Sequence, residues 1–161
     1  MDNEIILKHD FSCLIEKLRS IQITDSRDDI KHKIRSQLPE LIGNLALIFL
    51  CPEHPARNHW AGEVIANILP YNGLKNKNNK LLRPATYYDF LWKESVFVDS
   101  PTSFDELLET KFKKENINLT KEMTENARAK VENFMKWLAT ELSKECVTKD
   151  KIYEKLGAEE E

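Results

Sequence analysis

The chain is short of glycine and proline, with only 4 and 6 among its 161 residues. Because tight turns depend on these two residue types, this scarcity argues against a barrel of many short strands. Motifs that need several glycines, such as GxGxxG, GxSxG and the Walker A loop, are missing as well, which disfavours nucleotide hydrolysis. The composition therefore favours helices and indicates no familiar reaction.

Cysteines and long apolar runs are also scarce. The 3 cysteines, Cys13, Cys51 and Cys146, are odd in number and far apart, which does not suit a disulfide framework and favours a reducing compartment. The longest nearly apolar stretch, residues 41–51, is much shorter than the roughly 20 residues that cross a bilayer. We therefore expect a cytoplasmic protein that makes no membrane contact.

The pattern that does run through the chain is helical. Hydrophobic residues make up 41% of the sequence and recur at steps of three and four over most of its length, as on the buried stripe of amphipathic helices. We predict an all-α fold: a single-domain helical bundle of about six to seven helices around a central apolar helix. Residues 1–157 would form this domain and residues 158–161 an acidic tail. Residues 39–50 are predicted to be the central buried helix.

Local capping signals predict several of the helix starts. Ser26 with Asp29, and Ser103 with Glu106, have the spacing of capping boxes. An earlier amphipathic helix is predicted over residues 7–21 from its apolar stripe. Further side chains that we expect to cap helices are Asn58, Thr120 and Thr148.

Two segments resemble a known family. Residues 38–65 contain an apolar helix that runs into a loop with a Pro-Glu pair and a basic residue, and then a tryptophan before another helix. This arrangement resembles the middle of the bacterial family called domain of unknown function 29, and residues 99–109 resemble a later segment of that family. The resemblance implies a mostly helical bacterial domain and implies no reaction. The matching residues in the first segment are Pro52, Glu53, Arg57 and Trp60.

Four candidate metal ligands lie close together in the sequence: Cys51, His54, His59 and Glu63. His59 and Glu63 are one helical turn apart, so they would share a helix face. A zinc ion needs three or four converging ligands of these types, and a zinc site is one interpretation of the cluster. The other is that Cys51 ends a buried helix while His59 and Glu63 form a local surface hydrogen bond or ion pair.

Arg27 and His32 form a second candidate pair. Their spacing resembles that of the Arg/His pair in helical nucleases of the higher-eukaryote-and-prokaryote nucleotide-binding class, which implies an arginine that stabilises phosphate and a histidine that acts as general acid or base. Several other charged residues surround the pair. A solvated charged helix face is therefore the alternative interpretation.

A basic loop is the third candidate site. No acidic residue lies between Glu63 and Asp89, while Lys75, Lys77, Lys80 and Arg83 are all positive. With Tyr71, Tyr87 and Tyr88 flanking them to stack on bases, these residues could bind single-stranded nucleic acid. The alternative is a loop that only keeps the protein soluble.

Two classes of function remain open from the sequence. The first is a helical macromolecular-interaction or regulatory module without catalysis, whose partner would be a protein, or nucleic acid bound through the basic loop. The second is a small metal-dependent or Arg/His-type hydrolase or nuclease. Tryptophans in helical patterns are usually buried, but Trp137 beside Lys136 could lie at the edge of an exposed seam that anchors a partner.

Overall fold

The computed structural model describes residues 26–95, 97, 100–144 and 147–161. Within these ranges no strand forms, and the only isolated bridge joins Lys75 to Leu81. The prediction of an all-α bundle around a central apolar helix is confirmed, whereas the helix predicted over residues 7–21 lies outside the described residues. The α-helices are α1 (Arg27–Leu50), α2 (Arg57–Ile68), α3 (Pro84–Tyr88), α4 (Pro101–Lys114), α5 (Lys121–Leu142) and α6 (Lys149–Leu156).

Helix α1 begins at the predicted capping box. The Ser26 hydroxyl oxygen accepts a hydrogen bond from the Asp29 amide, and the Asp29 carboxylate accepts one from the Ser26 amide. Every residue from 41 to 48 is buried, and α1 contacts α2, α4 and α5. The apolar run is thus the centre of the bundle, as its composition predicts.

Pro39 lies inside α1 and does not begin a new helix. A proline within a helix removes the hydrogen bond to the carbonyl four residues earlier, which is that of Arg35. The helix nevertheless continues through Pro39, which is exposed. The prediction that the central helix starts at Pro39 is therefore wrong: the buried half continues a helix that starts at Arg27.

Two further threonine caps are confirmed. The Thr120 hydroxyl accepts a hydrogen bond from the Met123 amide at the start of α5, and the Thr148 hydroxyl accepts one from the Lys151 amide at the start of α6. Helix α6 ends at Gly157, whose φ of 64° is in the left-handed region that favours glycine. Side-chain oxygens at N-caps supply the partner that the first helical amides lack.

Two other predicted starts are wrong. Helix α2 begins at Arg57, before Asn58, and the Asn58 side chain instead accepts a hydrogen bond from the Glu159 amide. Helix α4 begins at Pro101, so Ser103 lies within its first turn. A proline suits this position because its fixed φ is already helical and its missing N–H would have no partner there.

Helix α5 buries the stripe that its spacing predicts, and it ends at Leu142. Its buried face packs against α1 and α3. None of the helices in the described part of the chain is long and apolar enough to cross a membrane. The buried apolar residues of this stripe are Ala127, Val131, Phe134, Leu138 and Leu142.

Arg57 joins the carboxyl ends of two helices. Its guanidinium donates to the Ile48 carbonyl at 3.3 Å, to the Leu156 carbonyl at 2.7 Å and to the Gly157 carbonyl. The last carbonyls of a helix have no partner within it and carry partial negative charge. A single cation therefore satisfies the ends of α1 and α6.

The acidic tail is bonded to the bundle through each of its glutamates. Polar groups on α2 and α6 supply the partners, so the tail packs beside these helices. Glu159 donates its amide to Asn58 at 3.0 Å, Glu160 accepts from Lys149 at 2.8 Å, and Glu161 lies 3.1 Å from the His59 ring.

Candidate functional site

Residues 74–82 form a short structure that we call the 74–82 hairpin. The Leu82 amide donates to the Leu74 carbonyl at 3.1 Å, and Lys75 bridges Leu81. Leu74 and Leu82 are buried, so the base of the hairpin is fixed in the core. Residues 71–74, which lead into the hairpin, are all buried.

The tip of the hairpin is held by Asn76. Its side-chain oxygen accepts hydrogen bonds from the amides of Asn78 and Lys80 at 2.9 and 3.2 Å. Its own amide donates to the Lys80 carbonyl at 2.9 Å. Asn79 has a φ of 58°, a left-handed conformation that asparagine tolerates better than most residues. These bonds order the exposed turn without any apolar side chain.

The residues just before the hairpin fasten it to the end of α5. Gly73 has a φ of 66°, and its amide donates to the Leu142 carbonyl at 3.0 Å. Asn72 is buried, and its side-chain amide donates to the Val147 carbonyl at 3.4 Å. The left-handed conformation requires a residue such as glycine, because a Cβ is strained there.

Two buried tyrosines connect the base of the hairpin to α1. The Tyr87 hydroxyl accepts a hydrogen bond from the Leu74 amide at 3.0 Å and donates one to the Tyr71 carbonyl. The Tyr71 hydroxyl in turn donates to the Lys33 carbonyl on α1 at 3.1 Å. Burial raises the pKa of both tyrosines. Both hydroxyls therefore keep the protons that these bonds need at neutral pH.

The cations of the basic loop are presented by this ordered hairpin and the residue after it. Lys77, Lys80 and Arg83 are exposed and Lys75 is half-buried. None of the four forms an ion pair with a described residue. Within the described part of the chain, no carboxylate pairs directly with their positive charge.

The hairpin lies near the start of α1. The pKa of Asp29 is lowered, chiefly by the hydrogen bond from Ser26 and to a smaller extent by the charges of Lys77 and Lys33. The carboxylate already has its capping partner, so it does not neutralise the hairpin lysine through a direct contact. The first turn of α1, which carries Asp28 and Asp29, therefore borders the cationic hairpin.

Tyr71 is buried, so its ring offers no exposed face for stacking on a base, and a role in binding stays a prediction. Its ring is 8% exposed, and that of Tyr87 is 0% exposed. Both rings fill the core beneath the hairpin, where a large apolar surface is removed from water. Tyr88 is half-buried and donates its hydroxyl to Glu132 at 3.2 Å. The surface is thus electrostatic, without the ring platform that single-strand binders use.

The candidate metal ligands are not brought together into a site. The His54 ring stacks on Trp60 at 4.6 Å between centroids, and its Nδ1 accepts a hydrogen bond from the Ala56 amide. Cys51 is half-buried at the end of α1, and burial raises the pKa of its thiol. Among the residues with a described placement, no three His, Cys, Asp or Glu side chains are grouped closely enough to hold a metal ion.

His59 is engaged on both ring nitrogens. Its Nε2 lies 3.1 Å from the Glu63 carboxylate, and its Nδ1 lies 3.1 Å from the Glu161 carboxylate. The one-turn spacing of His59 and Glu63 therefore produces the local side-chain contact that was the alternative to a metal site. Zinc binding at these residues stays a prediction with no converging geometry behind it.

Arg27 and His32 lie on different faces of α1. Five positions along a helix turn the side-chain direction by about 140°. The Arg27 guanidinium stacks on the Phe90 ring, 4.8 Å from its centroid, and lies 3.8 Å from Glu94. His32 is exposed and distant in direction from these contacts. The pair does not form a catalytic arrangement in which both groups could reach one phosphate.

A polar network centred on Asn44 was not predicted from the sequence. Asn44 is fully buried, and its side-chain amide donates to Glu40 at 3.3 Å and to Glu63 at 3.0 Å. Glu40 also accepts a hydrogen bond from Lys111 at 2.8 Å, which lowers the pKa of its carboxyl. The side-chain oxygen of Asn44, Oδ1, has no hydrogen-bond partner in the described structure. The network links α1, α2 and α4, and a polar group at this depth favours one register of the helices.

Gly43 makes room for the lysine of this network. A Cβ at this position would lie 3.1 Å from the Lys111 side chain, closer than most carbon contacts. The lysine stem can therefore cross α1 and place its ammonium beside Glu40. The sequence signal for the network was one polar residue, Asn44, in the otherwise apolar run of residues 41–51.

No family model, curated protein or solved structure matches the chain. Membership of the domain of unknown function 29 family therefore stays a prediction. The residues that carry the resemblance have structural roles: Arg57 caps two helices, Trp60 is buried against His54, and Pro52 and Glu53 form an exposed turn.

Proposed function

We propose that the chain is a helical binding module that recognises an acidic protein surface through the 74–82 hairpin and Arg83, and that it performs no chemistry of its own. An ordered hairpin whose cations have no acidic partner in the described residues carries this proposal. The net charge of the whole chain is -3. The positive charge is therefore local, and it would orient a partner at this surface without attracting anions everywhere.

The order of the hairpin supports a binding role. Its base is fixed by the buried Tyr87 hydroxyl and its tip by the Asn76 side chain. Ordering a free loop on binding costs conformational entropy, and a loop that is already ordered avoids much of that cost. Exposed lysines on a fixed backbone can therefore select a matching arrangement of carboxylates.

An acidic protein fits this surface better than nucleic acid does. Proteins that bind single strands combine cations with exposed rings on which bases stack. Here the rings of Tyr71 and Tyr87 lie in the core. Four cations without a stacking platform match carboxylate side chains on a folded partner.

Three of the residues that could have supported catalysis have partners within the fold, whereas His32 is exposed on another face of α1. Arg27 stacks on Phe90, the His54 ring stacks on Trp60, and His59 lies between two carboxylates. A general acid or a metal ligand has to meet a substrate or an ion. These contacts give each side chain a structural task and so support the binding module over the hydrolase or nuclease.

Fluorescence anisotropy with labelled polyglutamate and a labelled single-stranded DNA oligonucleotide tests the proposal. The hairpin variant replaces Lys77, Lys80 and Arg83 by glutamine. A matched control variant replaces Lys93, Lys113 and Lys121 by glutamine as well. These lysines are also exposed and form no ion pair with a described residue. Both variants change the net charge equally, so a difference between them reports the position of the charges.

We expect polyglutamate to bind the parent and the control alike, with an affinity that falls as salt screens the charges. The hairpin variant should bind at least about tenfold more weakly, because it loses three of the four cations. Equal binding by the hairpin variant and the control would overturn the proposal. Clear preference for the oligonucleotide would overturn the choice of a protein partner.

A further inference from the structure

A second surface lies between α5 and α6 near the end of α1, and unlike the hairpin it is lined by aromatic rings. We call it the aromatic groove and define it by Phe49, Phe134, Trp137, Lys130 and Lys155. The Phe49 and Phe134 ring centroids are 5.9 Å apart, and those of Phe134 and Trp137 are 5.5 Å apart. Two neighbouring hollows of about 170 and 310 Å³ meet at Lys155.

The tryptophans differ in burial at this place. Trp60 and Trp92 are 3% exposed, as expected for rings in helical patterns, whereas Trp137 is half-buried. Phe49 is half-buried as well. Large rings left partly in water beside a hollow are typical anchors for a partner, since covering them removes apolar surface from water.

Lysines surround these rings. The Lys155 ammonium lies 5.5 Å from the centre of the Trp137 ring, a cation–π contact that holds its charge over the groove. Neither Lys155 nor Lys130 forms an ion pair with any residue that the structure describes. Lys151 pairs with Glu141 at 2.9 Å, and Glu154 is the one acidic residue lining either hollow. The border of the groove is therefore positive.

The groove has the form of a helix-binding site. Lys130, Phe134 and Trp137 follow one another at steps of four and three along α5, so they form one stripe of that helix. The side chains of α6 form the opposite wall. An amphipathic helix laid between such walls places its apolar residues on the rings at the same spacing.

We propose that the aromatic groove docks an acidic amphipathic helix of a partner protein. Its leucine or phenylalanine side chains cover the half-buried rings of Phe49 and Trp137, which pack on the buried Phe134, and its carboxylates pair with Lys130 and Lys155. Charge complementarity selects this occupant, because two lysines without acidic partners flank the apolar floor. The proposal goes beyond the hairpin function, since it uses a separate surface and requires an apolar stripe as well as negative charge.

Nuclear magnetic resonance of the full ¹⁵N-labelled chain tests the proposal. The probe is a helical peptide of about three turns with leucine along one face and glutamate along the other. One control peptide keeps the glutamates and replaces the leucines by glutamine, and a second keeps the leucines and replaces the glutamates by lysine. We expect only the first peptide to shift the Trp137 indole N–H signal and the amide signals of residues 130–137.

Variants separate the contributions of ring and charge. Trp137→Ala should weaken binding by about tenfold or more, as for a central aromatic anchor. The double variant Lys130→Glu and Lys155→Glu should weaken it several-fold, with a smaller effect at high salt. Lys93→Glu with Lys113→Glu changes the net charge equally at exposed positions elsewhere and should leave binding unchanged. If Trp137→Ala fails to fold, the comparison of peptide binding between the two charge-reversal variants decides whether the proposal holds.

The hairpin variant distinguishes this proposal from the first. With Lys77, Lys80 and Arg83 replaced by glutamine, the leucine–glutamate peptide should still bind the groove with unchanged affinity. Loss of peptide binding in that variant, or resonance shifts confined to the hairpin, would overturn the proposal that the groove is the docking site. So would the absence of any shift at Trp137, or a dimer in sedimentation that Trp137→Ala dissociates, since that result would assign the groove to a second copy of the chain.

Discussion

The turn between α1 and α2 and the 74–82 hairpin both crowd chemically versatile side chains into a short connection, yet they differ in what those side chains contact. In the turn, His54 packs on Trp60, and Arg57 binds carbonyls of two helices. In the hairpin, Lys77 and Lys80 have no ion-pair partner within the described structure. Residue type alone suggested a metal site in the first and a binding loop in the second. The contacts show which groups are left over for another molecule.

The largest effect should come from removing Arg57. Arg57→Ala leaves the terminal carbonyls of α1 and α6 without their cation, and we expect a loss of about 2–4 kcal/mol in the free energy of unfolding. Urea denaturation followed by circular dichroism measures it. Arg83→Ala serves as the matched control, and its exposed side chain should change that free energy by less than about 0.5 kcal/mol. Similar losses in both variants would erase the contrast between the two regions.

Tyr87→Phe should have the next largest effect. It removes the hydroxyl that joins Leu74 to Tyr71 and leaves a buried amide without a partner, which should cost about 1–3 kcal/mol. Thermal unfolding measures the loss. Tyr88→Phe deletes one half-buried bond to Glu132 and should cost less. If the two variants were equally stable, the hairpin base would not be held as the structure indicates.

The pH dependence of stability should report on Lys144 and Lys151, which, unlike the hairpin lysines, pair with a carboxylate, that of Glu141. Burial alone would raise the pKa of Glu141, but hydrogen bonds from Lys151 and Lys144 outweigh it, so the pKa is lowered from 4.5. A lowered pKa stabilises the fold above the unfolded value, and this stabilisation is lost as the pH falls through the folded value. Glu141→Gln should therefore cost about 1–2 kcal/mol at pH 7 and progressively less below pH 4.5. A pH-independent difference between the two proteins would contradict this assignment.

The smallest effect on stability should follow from changing the hairpin cations. Glutamine at positions 77, 80 and 83 removes no bond that the structure describes, so the free energy of unfolding should change by less than about 0.5 kcal/mol. The same variant is expected to lose polyglutamate binding. A large loss of stability would mean that these cations serve the fold, and the comparison with the α1–α2 turn would fail.

Features encoded by neighbouring residues could be predicted from the sequence. The Ser26 capping box and the Thr120 and Thr148 caps need only three residues of context, and the structure confirms all of them. The stripe of α5 follows from its spacing alone. Pro39 and Asn58 were misassigned because packing extends α1 through the proline and starts α2 before the asparagine. Tertiary contacts override local preference at such positions.

The candidate sites were harder to predict, because they depend on contacts distant in sequence. The burial of Tyr71 depends on Tyr87 and on the Lys33 carbonyl, and nothing beside Tyr71 in the chain indicates either contact. Asn44 is conspicuous within its apolar run, yet its partner Glu63 lies on another helix. The positive charge of the hairpin, by contrast, was visible as a stretch without acids. Charge survives folding unchanged, whereas the exposure of a ring has to be seen in the structure.

Pro39, inside α1, divides that helix into two segments that we expect to differ in their resistance to local unfolding. Its missing N–H interrupts the hydrogen-bond ladder between the charged turns near the Ser26 cap and the buried turns from Leu41 onward. The first segment buries only one face, through Ile30, Ile34 and Leu38, whereas every residue from 41 to 48 is buried, so we expect the first segment to open more readily. The Tyr71 hydroxyl contacts this segment through the Lys33 carbonyl. The amide protons of α1 should thus exchange with deuterium in two steps, first those before Pro39 and then those after it. The first step would also weaken the contact between α1 and Tyr71 at the base of the hairpin.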